Sequence, residues 1–255
     1  MILRGKNIMG YDYRAGKKRI KEVLEKSVII EEKRTVPCEN DFTFDNAYKC
    51  WISSIFIDIR KSTELFNSDN KKNATKIIRS FTSEIIEILN EEKDTAIEEI
   101  GIRGDCVYAI YSTPTTDMIY EIIDRAFWIN SFLNMLNKLL SNYGLSTIKA
   151  GIGVSTAQEV IIKAGRKYSG VNSKVWIGNA VTKASKLSGV GNKNNHGAIV
   201  MSSCTHYNII DKFKKRNGEK SAEWFKKVDD KTLGTYYHCN ITKNELENWI
   251  KEGMK

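Results

Sequence analysis

Between Trp51 and Gly165 the apolar residues change period in an order that few folds accommodate. WISSIFID (Trp51 to Asp58) is β-branched and aromatic, and reads as a buried strand ending on a carboxylate. Ala74, Ile77, Ile78, Phe81, Ile85, Ile88 and Leu89 then recur at three- and four-residue spacing, which predicts a helix with one apolar face. TAIEEIGIR and CVYAIYS are strand-like again, joined at Gly104-Asp105, where glycine supplies the positive φ of a two-residue hairpin. Helical spacing returns from Asp117 to Tyr143 through Ile119, Ile122, Ile123, Ala126, Leu133, Leu136 and Leu140, and Gly144 ends it as a C-cap. IKAGIGVSTA and QEVIIKAG read as two further strands, followed by a glycine-punctuated loop and a helix from Asn179 to Leu187. The order β, α, β, β, α, β is the α+β, ferredoxin-like split arrangement, an antiparallel sheet covered by helices on one face.

Beyond this unit, AIVMS predicts a strand, AEWFKKV and GTYYHCNI a hairpin, and the residues around Glu245 to Ile250 a terminal helix. Residues 1–44 read as an N-terminal extension with one helix or strand and a turn near Pro37. The expected organisation is therefore the extension (1–44), one globular domain (45–242) and a C-terminal helix (243–255). A chain of 255 residues with 41% hydrophobic content buries one good core more readily than two.

The longest apolar stretches are too short for a bilayer span and the N-terminus lacks an apolar signal core, so a cytoplasmic protein with no membrane partner is expected. Cys38, Cys50, Cys106, Cys204 and Cys239 contain no C-x-x-C pair and read as reduced and structural. His196, His206 and His238 are scattered, which disfavours a histidine metal site. The net charge of +9 suits a polyanion, but the basic runs Lys17 to Lys21 and Lys212 to Lys220 lack interleaved aromatic residues. They read as solvated surface charge rather than as a nucleic-acid interface.

In a ferredoxin-like sheet the first strand lies beside the following hairpin, so Asp58 and Asp105 are expected to converge at one edge. Hard oxygen donors suit Mg²⁺ or Mn²⁺, and the backbone carbonyl of Ile59 is a further candidate ligand. Two ions would support in-line phosphoryl transfer, with an intramolecular 3′-hydroxyl giving a cyclic product. Taken singly, either aspartate would more often be a turn residue or a strand-end cap than a metal ligand.

The flanks of these aspartates carry a resemblance. FIDIRKST (Phe56 to Thr63) resembles the F-x-D-I-x-x-x-T metal motif of the class III adenylate and guanylate cyclases, and RGDCVYA (Arg103 to Ala109) resembles their I-G-D-x-x-x-A hairpin. IGNAVTKASKL (Ile177 to Leu187) is similar to the family's W-G-x-x-V-N-x-A-x-R helix, and KAGIGVSTAQEVIIKAG to its glycine-marked strand pair. The resemblance implies a ribonucleoside triphosphate substrate, two Mn²⁺ or Mg²⁺ ions per site, and a head-to-tail homodimer with composite sites. One subunit would supply the metal aspartates and its partner the transition-state groups.

Thr182 and Lys186 stand where the family has a catalytic asparagine and arginine, and they offer one hydroxyl and a point charge instead of a guanidinium fork. Gly101 and Val175 stand where purine cyclases read the base edge, and neither side chain can hydrogen-bond. In this the chain resembles the pyrimidine cyclases of bacterial antiphage signalling (Pycsar), which implies UTP conversion to 3′,5′-cyclic UMP, or CTP to cyclic CMP, read by a separate effector protein. The same resemblance makes Tyr48 a candidate for the pyrimidine pocket, or else a staple holding the extension to the sheet. It makes Arg103 a phosphate or base contact, or else a surface strand residue. Lys231 is either the family's triphosphate lysine or an ordinary turn lysine. A purine cyclase with rewired recognition and an inactive nucleotide-binding module are the alternative readings.

Overall fold

The computed structural model describes residues 10–66, 71–91, 96–166 and 169–255. In chain order it forms α1 (Tyr13–Leu24), β1 (Ile29–Glu32), β2 (Asn46–Ile59), α2 (Ser62–Phe66), α3 (Lys71–Asn90), β3 (Ile97–Arg103), β4 (Cys106–Ser112) and α4 (Thr116–Asn142). These are followed by β5 (Ala150–Gly165), β6 (Asn172–Ile177), α5 (Asn179–Ser188), β7 (Ile199–Ser202), α6 (Ser203–Asn217), β8 (Lys226–Asp230), β9 (Gly234–Cys239) and α7 (Asn244–Lys251). The sheet runs β3-β4-β2-β5-β7-β9-β8, with β1 beside β2 and β6 beside β5. Residues 1–9 of the extension and Thr95, at the head of one expected strand, lie outside the described residues.

The ferredoxin-like core is β2 to β5 with α3 and α4. Successive strand residues face opposite sides of a sheet, and β2 uses both. Ile55, Ile57 and Ile59 pack with Ile77, Phe81 and Ile85 of α3 and Ile122, Ile123 and Ala126 of α4. Each such isoleucine contributes about 1.5–3 kcal/mol by leaving water. Tyr48, Cys50 and Ile52 point the other way, into a second cluster with Phe42, Ile161 and Ala180.

Several features depart from the sequence expectation, beginning with the extension, which holds both a helix, α1, and a strand, β1. IKAGIGVSTA and QEVIIKAG form one strand, because β2 pairs with β5 without a break from Ala47↔Ile162 to Ile59↔Ala150. Of the polar residues in its middle, Ser155, Thr156 and Glu159 are buried in that ladder and Gln158 is exposed. The glycine-punctuated loop contains a strand, β6, which folds back antiparallel on β5. The helices do not share one face: Gly151 and Gly153 of β5 meet α5, while their neighbours Ile152 and Val154 belong to the core on the α3 and α4 side. Finally, α6 follows β7 directly, capped by the Ser202 hydroxyl on the Thr205 N–H at 3.2 Å. Its buried apolar residues are only Ile209 and Phe213, too few to reveal helical spacing.

The basic residues of α6 also hold structure rather than only solvent. Lys212 pairs with Asp117 at 2.6 Å and lies over the Tyr120 ring, as does Arg216 at 4.7 Å from the ring centroid. All five cysteines are free thiols. Among the described residues no helix is long and apolar enough to cross a membrane.

His206 of α6 stacks face to face on Tyr237, with centroids 3.6 Å apart, and burial pushes its pKa down to about 4. The unfolded chain, titrating near 6.5, therefore binds more protons than the folded chain between those two values. Stability is complete above about pH 6.5 and falls as pH drops towards 4. Thermal unfolding scans across this window should show a midpoint that declines less steeply in His206→Phe than in the parent. Parallel declines would exclude His206 as a contributor.

Candidate active site

The end of β2 and the β3-β4 hairpin build an acidic corner. Asp58 lies opposite Cys106 in the β2-β4 ladder, and Asp105 precedes Cys106 in the tight turn that Gly104 permits at φ 62°. The two carboxylates interact electrostatically. Burial raises the Asp58 pKa, the Arg60 guanidinium opposes that rise, and the charge of Asp105 adds to it. Between them, burial and then the charges of Asp58 and Asp105 push the Cys106 thiol up to about 12. The next β2 residue, Ile59, is a buried core side chain, so its backbone is fixed at the same corner.

This corner offers oxygen donors whose mutual repulsion a dication would remove, so its chemistry fits Mg²⁺ or Mn²⁺. Among the described residues no third His, Cys, Asp or Glu joins them. The remaining coordination positions would fall to backbone oxygen, water and phosphate oxygens, the usual arrangement for a nucleotide-bound Mg²⁺.

Arg60 was not singled out by sequence reasoning. Its side chain is 8% exposed; Nη1 donates to Asp58 Oδ2 at 3.2 Å and Nη2 donates to the carbonyl of Ser188, the last residue of α5. The available signal was its position two residues after Asp58, on the same face of an extended segment. Glu159 was also missed. Its carboxylate is fully buried, one oxygen accepts the Ala180 N–H at the start of α5, and the other has no protein partner. An acidic residue inside the apolar run QEVII was the visible sign.

Thr182 and Lys186 are not at the acidic corner. They are exposed on α5 and line a cavity of about 490 Å³ with Lys183, Ser203, Cys204 and Leu233. The cavity opens where the β5 edge lies between the β7 and β6 pairings, beside the N-terminus of α6. The Thr182 hydroxyl donates to the Gly178 carbonyl at 2.8 Å, which orients it from the first turn of α5. Lys231 sits exposed in the β8-β9 turn, whose Thr232, Leu233 and Gly234 reach the cavity. Within one chain, then, the acidic corner and this basic, hydroxyl-lined cavity are separate.

Tyr48 joins neither. It is 7% exposed, packs edge to face on Phe42 at 5.1 Å, and its hydroxyl donates to the Asp41 carbonyl at 3.1 Å. These contacts fit the staple alternative. Arg103 ends β3 in solvent, close enough to interact with Tyr108. The Tyr108 ring stacks on Phe56 at 5.1 Å and lies over Gly101, where an added Cβ would meet it. Glu99 accepts the Tyr108 hydroxyl at 2.6 Å and the Trp176 Nε1–H at 3.0 Å, so β3 and β6 are tied across this face. Val175, beside Trp176, is 40% exposed.

Residues 46–238 match the family described as the adenylate and guanylate cyclase catalytic domain. Over 247 residues the chain is 49% identical to "Uridylate cyclase" of Treponema porcinum, covering 97% of this chain and 83% of that protein. It is 30% identical over 251 residues to "Uridylate cyclase" of Gulbenkiania mobilis, covering 95% and 96%. Among solved structures, the adenylyl cyclase CyaB from P. aeruginosa superposes with a TM-score of 0.59 at 16% identity, over 75% of this chain and 94% of that one. A class III adenylyl cyclase-like ATP-binding protein from Pseudomonas aeruginosa gives 0.59 at 15% identity, over 95% and 52%. At such identities the structures speak for the fold alone.

Proposed function

Because this chain belongs to the adenylate and guanylate cyclase catalytic domain family, we propose that it is a uridylate cyclase, converting UTP to 3′,5′-cyclic UMP and pyrophosphate. The observation that carries the reaction class is the convergence of Asp58 and Asp105 at one corner of the sheet. When bound there, Mn²⁺ or Mg²⁺ would neutralise the triphosphate and lower the pKa of the attacking 3′-hydroxyl. Asp58, Asp105 and the Ile59 carbonyl would hold the ions.

The remaining chemistry belongs to the chain's own side chains. Lys186 places positive charge in the cavity beside α5, where it would face the pentavalent phosphorus, and Thr182 adds a hydroxyl that its bond to Gly178 keeps oriented. Because the acidic corner does not line that cavity, the reading calls for a two-fold homodimer in which each site takes its carboxylates from one copy and Lys186 and Thr182 from the other. Lys231, in the turn beside the cavity, is suited to the triphosphate tail.

Specificity for a pyrimidine is supported by the two similar uridylate cyclases and by Gly101. A side chain there would have to displace the Tyr108 ring, which Phe56 and Glu99 hold in place, so a purine-reading group is disfavoured. Arg103, exposed at the end of β3 and interacting with Tyr108, is placed to meet a base or phosphate at that edge. Tyr48, held against Phe42, is proposed to help shape the pyrimidine pocket. A cyclic pyrimidine nucleotide suits a messenger read by a separate effector, as in antiphage signalling.

The deciding experiment incubates the purified chain separately with ATP, GTP, CTP and UTP in Mn²⁺ or Mg²⁺, with chromatography of the products. Cyclic UMP and pyrophosphate should form from UTP with a kcat/KM at least roughly a hundredfold above that for ATP or GTP. Preferential turnover of a purine would overturn the pocket reading, and no turnover of any of the four would leave an inactive nucleotide-binding module.

A further inference from the structure

Arg60 occupies an unusual position for a buried guanidinium. It bridges two elements that the reaction keeps apart: the carboxylate of Asp58 through Nη1, and the carbonyl of Ser188 at the C-terminal turn of α5 through Nη2. Room for the bridge comes from Gly151, since a Cβ there would overlap both the guanidinium and the Ser188 carbonyl. Its backbone N–H is fixed separately, to the Lys149 carbonyl at 2.7 Å. The third donor, Nε, is buried with no protein partner. The side chain therefore depends on these two contacts, and Asp58 is its carboxylate partner in the structure.

The Ser188 end is equally specific. A cation at a helix C-terminus meets the partial negative charge of carbonyls that have no partner within the helix. The turn just beyond is short: Val190 and Gly191 both donate to the Leu187 carbonyl, at 3.0 and 3.3 Å. Gly191 in turn lies against the Gly151 backbone, where neither residue could carry a Cβ. The guanidinium is thus in direct contact with the last turn of the helix that carries Thr182 and Lys186.

A dication at the acidic corner draws on the same Asp58 carboxylate and repels the guanidinium across it. We propose that Arg60 is a positioning residue that couples cation occupancy of the Asp58–Asp105 corner to the C-terminal turn of α5. With the corner empty, Arg60 balances Asp58 and anchors the turn. When a dication takes Asp58, the guanidinium yields that contact, and α5 is released from the strand end. The inference rests on the cation-binding reading of the acidic corner made above, and it adds that the corner reports its state to the helix carrying the transition-state groups.

The test uses the nucleotide-free full chain and Mn²⁺ alone. Mn²⁺ uptake is followed by loss of the free-ion electron paramagnetic resonance signal. Amide hydrogen exchange of residues 185–191 is measured with and without Mn²⁺. In the parent, Mn²⁺ should raise exchange in that turn roughly threefold as its anchor loosens. Arg60→Ala removes the competing cation, so it should bind Mn²⁺ about threefold to tenfold more tightly and show no Mn²⁺-dependent change in the turn. Arg60→Lys keeps the charge without the fork, so it should bind Mn²⁺ as the parent does and also lose the response.

A purely structural arginine predicts the opposite for Arg60→Ala, namely weaker Mn²⁺ binding together with lower stability. Unchanged or weaker binding in that variant, or a turn response retained in either variant, overturns the coupling. Should Arg60→Ala not fold, the turn response of Arg60→Lys decides the matter alone. Failure of the parent to take up Mn²⁺, or uptake that survives in Asp58→Asn, overturns the acidic-corner reading itself and the coupling with it.

Discussion

Asp58→Asn and Asp105→Asn each reduce cyclic nucleotide formation by a factor on the order of a thousand or more, because either change removes an anionic ligand and several kcal/mol of charge stabilisation with it. The two variants should part company in stability. Asp58 is the hydrogen-bonded carboxylate partner of a guanidinium that is 8% exposed, and asparagine leaves that charge with only the more distant attraction of Asp105. Breaking such a pair from one side costs about 1–3 kcal/mol when one partner is still partly hydrated. Asp105 attracts the same guanidinium only through space, and that attraction is set against its repulsion of Asp58, so Asp105→Asn should lose less stability than Asp58→Asn. Product chromatography for turnover and chemical denaturation for stability check both halves. Parent-like turnover in both variants would remove the acidic corner from the mechanism, and equal stabilities would remove the Arg60 pair from the folding account.

Gly153→Ala destabilises the chain by about 3 kcal/mol or more and disables turnover even where the protein remains folded. An added Cβ at 153 would overlap the Ala184 carbonyl and the Ser188 amide, which are backbone atoms of α5 and cannot rotate aside as a side chain does. Overpacking of this kind ordinarily costs about 1–3 kcal/mol, at the upper end or beyond when backbone must move. The only relief is to lift α5 from β5, which carries Thr182 and Lys186 out of place. Urea denaturation should show a lower midpoint with an unchanged slope. A midpoint within error of the parent would mean that α5 is not seated on the sheet as described.

The helices α3 and α4 were legible because each buries one face against a large apolar layer, and β2 because both of its faces are dry and its run is β-branched and aromatic. Asp58 and Asp105 were legible for a related reason: each ends or turns an element whose limits the pattern marks. Elements whose burial depends on neighbours distant in sequence were harder to read. The polar centre of β5 looks like a break until β2 is seen pairing along its whole length. The strand β6 is short and half exposed, and α6 owes its position to Ile209 and Phe213, a cap at Ser202 and two cation–ring contacts on Tyr120.

Sequence alone determined the split α+β core, the two carboxylates that end a strand and turn a hairpin, and the absence of hydrogen-bonding side chains at 101 and 175, since these follow from residue type and local period. Only the tertiary structure decided that α5 lies on the opposite face from α3 and α4, that Tyr48 is buried against Phe42, and that Arg60, bonded to Asp58, reaches Ser188 across 128 residues of chain. The physical reason is that hydrophobic period encodes which face of an element is dry. The partner of a buried polar group depends on which distant backbone the close-packed glycines of β5 allow to approach.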